Sequence, residues 1–70
     1  MKIYTQDRKR IIEMPKEVWI AEHGSVSFII STSYSNPTLG TYEASKAEDI
    51  LKEMFDYYRS GKNSYVMPEQ

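Results

Sequence analysis

The sequence predicts an α+β fold, an antiparallel β-meander of three to five short strands with one C-terminal α-helix packed on one face. Three observations carry that expectation. Short β-branched and aromatic runs, separated by Gly, Pro, Asn and Ser, fill the chain up to Tyr42. A single later stretch places apolar residues at Ala47, Ile50, Leu51, Met54, Phe55 and Tyr58, the i, i+3, i+4, i+7, i+8, i+11 spacing of one helical face. A chain of 70 residues supports one core, so residues 1–70 form a single small domain.

The elements follow in order. Lys2-Ile3-Tyr4-Thr5 is a short strand, Gln6 to Arg10 a polar turn, and Ile11 to Met14 an extended return, which together suggest a hairpin. Pro15 has no N–H for a ladder and ends that strand. Val18 to Glu22 is the next strand, His23-Gly24-Ser25 a turn, and Val26 to Thr32 the clearest strand of all. Ser33 to Pro37 reads as a loop, and Leu39 to Tyr42 as one more short strand. The helix is expected from about Lys46 to Ser60. Ser45 with Glu48 forms a capping-box pattern, Glu48 and Asp49 suit the positive N-terminal end, and Arg59 suits the negative C-terminal end. Gly61 is placed to take the left-handed conformation that closes a helix. Tyr65 to Met67 adds a last extended segment.

Alternation along the strands, with His23-Gly24-Ser25 as the turn, sorts the side chains. Val18 and Ile20 share a face with Val26, Phe28 and Ile30, and this face is expected to receive the helix, with Ile3 and one of Ile11 or Ile12. Trp19, Ala21 and Ile29 point the other way, joined by Tyr4 and Tyr42. One helix covers one face, so the second is a candidate interface. A small core with no cysteine and a single histidine has neither disulfides nor a metal to supplement it. Self-association is then the natural supplement, and a homodimer or small homo-oligomer is expected.

Composition excludes several kinds of chemistry. Without cysteine there is no thiolate nucleophile, iron–sulfur cluster or Cys-type zinc site. Nine Lys and Arg against ten Asp and Glu argue against a generic nucleic-acid coat, which needs a basic excess. His23, beside Gly24 in a turn, has no serine or carboxylate at a diagnostic spacing. Glu48, Asp49, Glu53 and Asp56 read as a solvated outer helix face, and Gly24, Gly40 and Gly61 are too isolated for a phosphate-binding loop. The expectation is a protein that is no enzyme, with no catalytic residue, metal or cofactor. The longest uncharged run, His23 to Tyr42, is broken by Gly, Asn and Pro and cannot span a membrane. The start lacks the apolar stretch of a signal peptide, so a cytoplasmic protein is expected.

Binding is the reading that remains. Arg8, Lys9 and Arg10 cluster at the expected hairpin tip, where they solvate a turn or contact a phosphate or an acidic partner. Trp19 and Ile29 lie on the uncovered sheet face. Tyr34, in a Ser-rich loop, and Tyr57, off the helical stripe, have no evident core role among the six tyrosines. Charge is polarised: residues 1–16 carry five basic against two acidic side chains, and residues 43–56 carry five acidic against two basic. Such a dipole orients partners.

The opening Met1-Lys2-Ile3-Tyr4-Thr5-Gln6-Asp7 and the run Leu39-Gly40-Thr41-Tyr42-Glu43 leading into the helix face of Ala47, Ile50, Leu51 and Glu53 resemble small accessory proteins of phages and prophages of Gram-positive bacteria. That resemblance covers both ends of the chain and hardly the middle. It implies a phage-derived setting, where proteins of this size inhibit a host protein, bind a defence factor or sequester a nucleotide signal. The first expectation is a non-enzymatic phage or prophage interaction protein that inhibits a host protein, anti-phage defence proteins being among the candidates, in the host cytoplasm. The alternatives are a sponge holding a small nucleotide between subunits by aromatic stacking and Arg or Lys contacts, and a weak nucleic-acid binder using Arg8 to Arg10.

Overall fold

Among the described residues six strands and one helix form, in the order β1 (Lys2–Tyr4), β2 (Ile11–Glu13), β3 (Val18–His23), β4 (Val26–Ser31), β5 (Thr38–Glu43), α1 (Ala44–Arg59) and β6 (Ser64–Val66). The computed structural model describes residues 1–13, 17–24, 26–31 and 37–70, with backbone alone for Val26, Ser27, Phe28, Ile30 and Ser31. The fold is α+β, but its strands do not form one meander. They make two three-stranded sheets, β3-β4-β5, which is antiparallel throughout, and β2-β1-β6, in which β1 pairs antiparallel with β2 and parallel with β6. The helix lies against β3-β4-β5 and also reaches β6. Among the described residues no helix is long and apolar enough to cross a membrane.

Turn length decides which side chains enter the core. His23 pairs with Val26, leaving two connecting residues, and Gly24 at the first of them has φ +65°. Positive φ at that position is what a two-residue hairpin connection requires. The expected three-residue turn is therefore one residue too long, and a slip of one exchanges the two faces of a strand. Ile20 stands opposite Ile29 and Trp19 opposite Ile30. Ile29, expected on the outer face, is 0% exposed and belongs to the core, with Val18 and Ile20 packed against it. A bulge follows on β5, where Ile29 pairs with Gly40 but Ile30 with Thr38. The extra residue, Leu39, lets two consecutive positions, Leu39 and Gly40, both be buried.

The helix starts at Ala44, directly after β5, earlier than its expected start at Lys46. Glu43 is its N-cap and makes no side-chain capping bond, so the Ser45–Glu48 capping box is not formed. The C-terminus closes as expected: Gly61 takes φ +77°, its N–H donates to Tyr58 O and that of Lys62 to Tyr57 O, both at 3.1 Å. The buried face is Ala47, Ile50 and Met54, continued by Tyr57, with Leu51 half-buried. Phe55 and Tyr58, expected in the core, are 61% and 56% exposed. The cause is β6, whose Tyr65 ring meets Tyr57 edge-on, 5.0 Å between centroids at 88°. Residues 55 and 57 lie about 200° apart around a helix, so turning Tyr57 inward turns Phe55 outward.

The smaller sheet has a clean division of faces. Ile3 is flanked by Ile12 and Tyr65, all three buried, and Tyr4 by Ile11 and Val66, all three exposed.

Candidate binding surfaces

The basic cluster sits on a tightly hydrogen-bonded turn. Thr5 N–H donates to Arg10 O at 3.1 Å and Arg8 N–H to Thr5 O at 2.9 Å. Asp7 Oδ1 accepts from the Lys9 N–H at 2.9 Å and from the Thr5 hydroxyl at 2.8 Å. Those two bonds, the backbone one first, hold its carboxyl below the usual range. Arg8 has φ +63°, and its Nη1 donates to Thr5 O and to Met67 O, each at 2.8 Å. The guanidinium also lies 5.2 Å above the Tyr4 ring and 4.0 Å from the Glu69 carboxylate. Arg8 is thus a tie between the β1–β2 turn and the residues after β6. Lys9 and Arg10 are exposed.

Three side chains grip three successive carbonyls. Arg8 donates to Met67 O, the Tyr42 hydroxyl to Pro68 O at 2.5 Å, and Gln6 Nε2 to Glu69 O at 2.8 Å. Gln6 also substitutes for a neighbouring strand along β5: its N–H donates to Leu39 O at 2.9 Å, Oε1 accepts from Thr41 N–H at 2.8 Å, and Nε2 reaches Thr41 O at 3.2 Å. The Tyr42 ring folds back over Gly40, where an added Cβ would stand 2.5 Å from it. Burial pushes the Tyr42 phenol up to about 12. Sequence reasoning missed Gln6, and it placed Tyr42 on the outer face, whereas the ring is buried in the core. The glycine two residues before an aromatic on one strand face, Gly40 and Tyr42, was the signal for the second.

Beside Tyr42 lies an open cleft of about 410 Å³, bordered by Gln6, Thr41, Glu43, Lys46 and Glu69. One cation there faces two carboxylates, an environment ill suited to a phosphate. Burial, and after it the Glu53 carboxylate that accepts its hydroxyl at 2.6 Å, raise the Tyr65 phenol well above its usual value. Among the described residues no group of three or more His, Asp and Glu side chains could hold a metal ion.

The other expected binding residues scatter. Tyr57 does have a core role: half-buried, it packs against Tyr65 and carries the Lys62 ammonium 5.4 Å over its ring. Trp19 is half-buried on β3, while Ile29 is inside, and Tyr34 lies outside the described residues. Arg8, Lys9 and Arg10 lie on the β1–β2 turn, Trp19 on β3 and Tyr57 on α1. Two apolar surfaces that sequence reasoning did not single out are exposed instead. One is the row Ile11–Tyr4–Val66 across the smaller sheet, and the other is the helix flank of Phe55 and Tyr58 beside Leu51.

No protein-family model, curated protein or solved structure matches this chain.

Proposed function

We propose that the chain is a non-enzymatic interaction protein of phage or prophage origin that inhibits a host protein of anti-phage defence. It works as a small homo-oligomer in the host cytoplasm. The observation that carries the binding part of this reading is the outer face of β2-β1-β6, where Tyr4, Ile11 and Val66 are 38%, 67% and 54% exposed. Lys2 and Glu13 complete that face, ion-paired at 3.0 Å. An aromatic between two aliphatics, edged by charge, has the composition of a protein interface with an apolar centre and a polar rim. The phage setting and the defence target come from the resemblance at the two ends of the chain.

The test uses a host with an active anti-phage defence. Expressing the wild type is expected to raise plaque numbers, and Ile11→Asp or Val66→Asp, each folded by circular dichroism, to abolish that rise. Equal activity of the wild type and both variants overturns the assignment of this face. A nucleotide-sized mass retained by the purified protein in native mass spectrometry points to the sponge instead.

A further inference from the structure

We propose that the outward ridge of α1, formed by Glu48, Lys52, Phe55 and Arg59, is a seam on which a second copy of the chain pairs antiparallel about a two-fold axis. This deepens the homo-oligomer part of the reading above and does not depend on the host target.

All four residues are exposed, and Phe55 is the most exposed large apolar side chain of the helix. Their spacing is i, i+4, i+7, i+11, so they form one continuous row on the helix surface. The intervals of four, three and four read the same in both directions. A two-fold axis midway between Lys52 and Phe55 therefore brings Glu48 onto the partner's Arg59 and Lys52 onto the partner's Phe55. The row is self-complementary in that arrangement only. It forms two Glu–Arg ion pairs at the ends and two cation–π contacts at the centre, whereas parallel pairing sets Glu48 on the partner's Glu48 and Arg59 on the partner's Arg59.

The existing contacts favour this use. The Arg59 guanidinium lies 6.0 Å from the Phe55 ring centre and 3.3 Å from Asp56, so it is already held along the row. Leu51 and Tyr58, one turn to either side of Phe55, extend the apolar strip on the flank nearer the sheet. A second copy covers the aromatic surface that the roll of the helix leaves outside.

Sedimentation of the purified chain and its charge variants tests the proposal. The wild type is expected near twice the chain mass at about 100 µM. Glu48→Arg and Arg59→Glu, each alone, place like charges at both ends and are expected to weaken association at least about tenfold. Mixed in equal amounts, the two variants meet with every end pair attractive, and the dimer is expected to return. Phe55→Ala is expected to weaken it as well. Should a reversed-charge variant lose helix by circular dichroism, Glu48→Gln and Arg59→Gln make the same comparison with smaller effect. A wild type that sediments as a monomer at this concentration overturns the proposal. Single variants that dimerise as the wild type does, or a mixture no better associated than its components, also overturn it. None of these outcomes bears on the plaque assay, so failure of the seam and failure of the host-target reading are distinguishable.

Discussion

The two sheets are held together in different ways. β3, β4 and β5 are six residues each, run as a meander, and have the helix across one face. β1, β2 and β6 are three residues each, and one of them arrives from beyond the helix. Six-residue antiparallel pairs make enough ladder bonds and bury enough surface to be stabilised mainly by packing. Three-residue strands make fewer ladder bonds, and the smaller sheet is also fastened by side chains that bond to backbone: Arg8, Tyr42 and Gln6 on the carbonyls of Met67, Pro68 and Glu69, respectively. Both sheets bury an inner face, Ile29, Leu39 and Tyr42 in one and Ile3, Ile12 and Tyr65 in the other, and the smaller sheet adds directional polar ties. Damage to the shared core should unfold the domain, and damage to the ties should loosen one region.

The largest effect is expected from Ile29→Glu. It places a carboxylate at a fully buried position, and the variant should not fold at neutral pH. A folded dissociated monomer, the outcome expected of an outer-face position, would contradict the register. Next, Met54→Ala opens a cavity beneath the helix and should cost about 2–5 kcal/mol. Phe55→Ala, one residue on, should cost less than about 1 kcal/mol in urea unfolding at a concentration low enough to keep the chain monomeric. Similar losses for the two would return Phe55 to the core. Gly40→Ala drives a methyl group into the Tyr42 ring and should cost about 1–3 kcal/mol.

Arg8→Ala probes the other sheet. Removing a guanidinium from two carbonyls should cost about 1–2 kcal/mol. Hydrogen exchange is the sharper measurement: the Met67 amide, which donates to Tyr4 O at 2.9 Å, should exchange faster while β3, β4 and β5 keep their protection. Uniform acceleration over both sheets would erase the distinction between them.

The smallest effects are in pH. Tyr42 titrates near 12 in the fold against an ordinary 10. Its share of stability is therefore complete below pH 10 and is lost as pH rises from there towards 12. Tyr42→Phe should make alkaline unfolding shallower over that window, and an unchanged slope would separate the titration from stability. Asp7 has the opposite sign. Its carboxyl is held below the ordinary 3.8, so its contribution is present above that value and is lost as pH falls below it. Asp7→Asn should flatten the acid limb of the stability curve.

Local signals were legible where they were complete within a few residues. The strand runs, the amphipathic helix and its C-terminal Gly61 all depend on neighbours in sequence, and periodicity reports those. The inward face was legible at Ile3, Val18 and Ile20 but not along β4, because parity there depends on whether the turn after His23 has two residues or three, and composition permits both. The candidate site was less legible still. Arg8 looked like a free cation at a loop tip, and its partners, Met67 and Glu69, are about sixty residues away.

Class and composition therefore follow from the chain read in order: an α+β domain without thiol chemistry, with one helix and an excess of tyrosine. Three-dimensional packing alone settles the rest. The arrival of β6 beside β1 brings Tyr65 onto Tyr57, rolls the helix, exposes Phe55 and closes the ties to the carbonyls after Val66. The physical reason is that a helical stripe specifies which residues can be buried, whereas the surface available to cover them specifies which are. In a chain of this size that surface covers Ala47, Ile50, Met54 and Tyr57 and leaves Phe55 and Tyr58 to solvent or to a partner.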